Sequence, residues 1–102
     1  MQDICLIGER ELVAGFKLVG INDAYEANPE TDSKKLKDIF TSKKYNVILA
    51  SQSFQKYIDE DELRLYSTSI DPLVVFIPIP GIKEEESVYD LARKILGIDI
   101  GD

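Results

Sequence analysis

Leu73-Val74-Val75-Phe76-Ile77-Pro78-Ile79-Pro80-Gly81 divides this chain in two. Its first five residues are continuously apolar and rich in β-branched side chains, the pattern of a strand buried on both faces. The prolines and the glycine that follow fit neither a sheet interior nor a helix interior. They stop the strand and leave the next segment free to be aimed. Residues 1–78 are therefore expected to form an α/β body. Residues 79–102 are expected to form a joint, hinged at Pro78, Pro80 and Gly81, followed by a helix.

That helix carries the cleanest local pattern. Val88, Leu91, Ala92, Ile95 and Leu96 fall at i, i+3, i+4, i+7 and i+8, one apolar stripe. Ser87 with Asp90 resembles a capping box, Glu84 to Glu86 precede it, and Arg93, Lys94 and Gly97 close it. Such a stripe needs a cover. The chain's own sheet is one, and a partner surface is another, with Val88, Leu91, Ile95 and Leu96 as the contact residues.

Upstream, strand and helix patterns alternate. Ile4-Cys5-Leu6-Ile7 reads as a central strand ending at Gly8. Leu12, Val13, Phe16 and Val19 make a helical stripe closed by Gly20, and Gly15 inside it is expected to allow close approach to the sheet. Asn22 to Ala27 mixes polar with apolar residues, as an edge strand does. Asn28-Pro29 ends it, and Thr31, Asp32 and Ser33 are candidate caps for a helix with Leu36, Ile39 and Phe40 on its buried side. The lysines at 34, 35 and 37 read as a solvated face, and Lys43 and Lys44 suit the helix end.

Val47 to Ala50 is a third strand, and Ser51 offers a cap for a short helix carrying Phe54, Tyr57 and Ile58. The helical pattern breaks and restarts around Asp59 to Leu65, with Ser67-Thr68-Ser69 read as loop and Asp71-Pro72 as a turn. The predicted fold class is α/β. It has a four-stranded, mainly parallel sheet in the order 2-1-3-4, flanked by helices in a receiver-like arrangement, plus the C-terminal amphipathic helix.

The totals narrow the function. The chain has 102 residues, 44% hydrophobic and 30% charged, the balance of one globular domain. No apolar run reaches the roughly 20 residues of a membrane helix, so no membrane insertion is expected. Met1-Gln2-Asp3-Ile4 lacks the basic flank of a signal peptide, and Cys5 is the sole cysteine, so a cytosolic setting without disulfides is expected. The net charge of −7 disfavours nucleic acid and anionic membranes unless a local basic patch offsets it. Histidine is absent, which removes the commonest general base and metal ligand.

Known chemistry finds no foothold. Gly8-Glu9-Arg10-Glu11-Leu12 is neither a dinucleotide fingerprint nor a P-loop, and its acids would repel phosphate. A receiver would need an aspartate at the end of the third strand, where Leu49-Ala50-Ser51-Gln52 stands, though Glu9 could supply one acid. Asp59 to Glu62 and Glu84 to Glu86 lack calcium-loop spacing. Cys5 reads as a small core residue. No catalytic residue, cofactor site or metal site is expected. A stand-alone receiver-like signalling domain and a small-ligand domain stay open as alternatives.

Assembled, the segments resemble a known family. Gly8 to Ile21 is similar to the opening of the F subunit of archaeal and vacuolar-type rotary ATPases, with Gly15, Phe16, Leu18 and Gly20 matching and Lys17 in place of the usual arginine. Asp71-Pro72-Leu73 through Ile77-Pro78 looks like that family's fourth strand, and Leu91 to Ile100 like its C-terminal ending. The order and spacing span the full length. The connector departs from the family's glycine- or serine-rich one, and a stiffer joint is expected. The resemblance implies a non-catalytic central-stalk component that binds the coiled-coil D subunit and turns inside the ring of A and B subunits. Its C-terminal helix would modulate ATP hydrolysis.

Overall fold

The computed structural model describes residues 3–78. Four parallel strands are ordered β2-β1-β3-β4: β1 Ile4–Gly8, β2 Ala24–Glu26, β3 Val47–Ser51 and β4 Leu73–Ile77. Three α-helices connect them: α1 Arg10–Leu18, α2 Ser33–Ser42 and α3 Glu60–Thr68. A 3-10 helix over Gln52–Lys56 precedes α3. The expected α/β class and strand order are both present.

The pleat sorts each strand's side chains onto two cores. Cys5, Ile7, Ile48 and Ala50 face Leu36 and Phe40 of α2, Phe54 of the 3-10 helix and Tyr66 of α3. Leu6 and Leu49 face the other way, with Leu12, Val13 and Phe16 of α1. Alternate residues project to opposite faces, so a continuously apolar strand such as β1 feeds both layers at once. Cys5 pairs with Ile48 and Leu6 with Leu49, which puts β1 and β3 at the centre.

Local chemistry explains the element ends. Gly20 takes φ +108° just after α1, a conformation L side chains rarely adopt. The Ser51 hydroxyl accepts from Ser53 N–H at the start of the 3-10 helix (3.2 Å), as expected of a cap. Asp59 caps α3, its carboxylate accepting from Glu62 N–H at 2.8 Å. At α2, Asp32 occupies the cap position but turns its carboxylate to Asn28 N–H (2.8 Å), closing the turn before the helix instead.

Two expectations are corrected. Ser67 and Thr68 belong to α3 and not to a loop. Their hydroxyls donate to the carbonyls of Leu63 and Arg64, both at 2.9 Å, and so remain compatible with one further turn. β4 is not buried on both faces. Among the described residues β3 alone neighbours it; Leu73 is exposed, Val74 to Phe76 are half-buried, and Ile77 is buried. Its apolarity serves an edge strand whose two faces are each partly covered. Of the joint, Pro78 is described and is exposed; Pro80, Gly81 and the stripe Val88, Leu91, Ile95 and Leu96 lie outside the described residues.

Candidate functional site

Open parallel sheets place ligands at the carboxyl ends of their strands, where successive connections leave for opposite faces. Here that point lies between β1 and β3, and a cleft of about 400 Å³ opens near it. Its walls include Glu9, Arg10, Glu26, Glu30, Ser53 and Lys56. Arg10 approaches Glu26 at 3.6 Å with both side chains largely exposed, a weak contact. One carboxylate oxygen of Glu9 is buried without a hydrogen-bond partner among the described residues. A phosphate placed here would meet three glutamates against two cations.

The phosphoacceptor position carries no acid. β3 ends at Ser51, which is fully buried and engaged with Ser53 N–H. Among the described residues no three His, Cys, Asp or Glu side chains converge as a metal would require. Cys5 is fully buried at the centre of the sheet; burial first, and the charge of Asp23 second, push its thiol up to about 12. The thiol is therefore held protonated at neutral pH and unreactive.

A second concavity lies at the β2 edge. A groove of about 470 Å³ runs between β2 and α2, with Ala24, Tyr25, Ile39 and Tyr45 as its apolar wall and Lys35 and Lys44 beside it. Tyr25 and Tyr45 pack edge to face, ring centroids 6.4 Å apart, and their hydroxyls are hydrogen-bonded. That bond, with burial next, raises the Tyr45 phenol above its ordinary range. Neither tyrosine stood out in the sequence, because the groove joins an edge strand to the residues just after α2, and no local motif marks such a meeting.

Other features are plainer. Lys34, Lys35 and Lys37 of α2 are all exposed, and Lys35 among them borders the groove. Leu18 and Ile70 are 72% and 81% exposed, at the end of α1 and in the turn before β4. No helix among the described residues is long and apolar enough to cross a membrane.

Comparison with known proteins gives these surfaces a context. The model of a family described as ATP synthase (F/14-kDa) subunit matches residues 4–95. The F subunit of the A-type ATP synthase of Thermoplasma volcanium is 46% identical over 98 residues, covering 96% of this chain and 94% of that protein. Its counterpart in Thermoplasma acidophilum is 42% identical over 99 residues, covering 97% and 95%. The crystal structure of the V-type ATP synthase F subunit from Archaeoglobus fulgidus superposes with a TM-score of 0.64 at 23% identity, covering 74% of this chain and 96% of that one. That last likeness is one of fold. The sequence matches run through both the sheet and the stretch beyond it, and by them the chain belongs to the ATP synthase F/14-kDa subunit family.

Proposed function

We propose that this chain is a central-stalk (rotor) component of an A/V-type ATP synthase. In this reading it binds the coiled-coil D subunit and tunes the coupling of ATP hydrolysis and synthesis through its C-terminal helix. It is an accessory, non-catalytic subunit, and its link to ATP synthesis and ion transport runs through the complex. The family match over residues 4–95 carries the proposal. The described residues add a parallel α/β sheet body, the fold also seen in the F-subunit structure it superposes on.

The mechanism is mechanical. The body grips the coiled coil. The stripe of Val88, Leu91, Ile95 and Leu96 exchanges one cover for another, with Pro78, Pro80 and Gly81 as the hinge. An isolated helix of this length is marginal in water, so it holds its form against a surface. Exchange between two covers requires their free energies to lie within a few kcal/mol of each other. The A and B subunits of the catalytic ring are the second cover. The chain would then sit on the cytoplasmic side, peripheral to the membrane.

The test is reconstitution of the ATPase with the full chain and with a chain ending at Gly81. Both should assemble with the D subunit, and the shortened chain should change the rate of ATP hydrolysis. Failure of the full chain to assemble with that coiled coil, or equal rates with the two chains, would refute the reading.

A further inference from the structure

We infer that the groove between β2 and α2 is the seat of an amphipathic helix with a carboxylate-flanked apolar ridge, contributed by the coiled-coil stalk partner. The inference rests on the stalk reading above and names the surface by which the body would grip.

Charge is the first argument. Residues 34–44 hold five lysines and one aspartate, although the whole chain has 12 basic and 19 acidic residues. The body thus presents a basic strip on an otherwise acidic molecule. The ion pairs among the described residues are Arg10–Glu26 and Arg64–Asp61, so this strip's lysines are not committed to them. Lys35 and Lys44 both border the groove. Opposite charge on a partner would steer it to this side.

Shape and chemistry select among acidic partners. Between the lysines the groove offers Ile39, Ala24 and the two tyrosines, which call for apolar side chains. Glu26 and Asp38 line the same groove and break its positive charge into separate points at Lys35 and Lys44. Such points suit isolated carboxylates on a helix better than the continuous phosphates of a nucleic acid or an anionic membrane. Addition of a partner strand finds little template, because β2 is only 3 residues long. A helix with an apolar ridge and carboxylates beside it answers each feature. Tyr25 is 38% exposed and already held by Tyr45, an anchor that loses little freedom on binding.

The experiment uses the full chain and the full-length coiled-coil subunit from the same organism. Binding is titrated at about 0.05 and 0.3 M salt. The double reversal Lys35→Glu with Lys44→Glu should weaken binding at least about tenfold at low salt and flatten the salt dependence. Tyr25→Ala should weaken it at both salt concentrations. Glu60→Lys with Asp61→Lys, on α3, should leave it unchanged. Unaltered melting of the lysine variants, read by circular dichroism, would assign the loss to the surface. Lys35→Gln alone, the milder change, should give a smaller loss in the same direction. Wild-type affinity in the lysine and tyrosine variants would overturn the groove and leave the stalk reading standing. No binding by the wild type would overturn both. Binding of anionic vesicles or duplex DNA that the reversals abolish, with coiled-coil binding intact, would assign the strip to that other partner and overturn the inference.

Discussion

Gly8 shows how little room separates α1 from the sheet. A Cβ there would lie 2.8 Å from Leu12 Cδ2 and 3.1 Å from Ser51 Cβ, on both a helix and the neighbouring strand. Leu12 and Ser51 are themselves buried, so neither side has slack. Gly8→Ala should destabilise the fold by about 1–3 kcal/mol, the range of overpacked cores, as measured by urea unfolding. Gly20 is the contrasting case. A Cβ there meets nothing within 4 Å, yet φ is +108°, so Gly20→Ala should cost about 1–2 kcal/mol through backbone strain alone.

Cys5 makes an alkaline prediction at the same scale. Its folded-state pKa, about 12, lies above the 9.0 of the free thiol, so between those values the unfolded chain has lost a proton that the folded chain keeps. Stability should therefore be intact below pH 9 and fall as pH rises toward 12. Tyr66, raised by burial and then by its hydrogen bond to Glu62, adds to the fall in the same direction. Cys5→Ala should shallow the decline in unfolding free energy across that window. An unchanged slope would show that the thiol ionises equally in both states.

At the scale of elements, α3 is held at its start by one carboxylate. Asp59→Ala should cost about 1 kcal/mol, because the Glu62 N–H loses its acceptor where three further acids already crowd the first turn. Asp32→Ala removes no cap bond, and its effect should fall on the turn that begins at Asn28. Thermal melts of the two variants distinguish these cases. The difference was not legible in the sequence, where Asp32 and Asp59 look alike. Which amide a short acid reaches depends on whether the preceding turn offers a closer one.

The strand order was legible for a firmer reason. Alternating connections and two fully apolar strands leave few arrangements of a parallel sheet, and the mixed composition of Asn22 to Ala27, of which Ala24–Glu26 forms the strand, put β2 at an edge. Burial along β4 was misread because an apolar run reports side-chain chemistry and not the number of neighbours. The groove was invisible because Tyr25 and Tyr45 are 20 residues apart and meet only when β2 and α2 are in place.

At the scale of the whole molecule, the division into body and tail becomes a statement about cores. The described residues build a cluster on each face of the sheet, one around Tyr66, Phe40 and Phe54, the other around Phe16, Leu12 and Leu6. Each draws on β1 and β3 and on at least one helix that precedes Pro78. If these clusters suffice, a chain ending at Gly81 will melt cooperatively, with slow amide exchange in Ile4–Gly8 and Val47–Ser51. It will also be less stable than the full chain, since a body of this size buries a smaller fraction of its surface. The loss should appear first at β4, which has one neighbouring strand among the described residues and an exposed Leu73, as faster exchange from Leu73 to Phe76. A truncated chain without a cooperative transition would show that the last helix completes the core. The tail could then not leave the body without unfolding it, and the exchange of covers proposed for the rotor would have no physical basis.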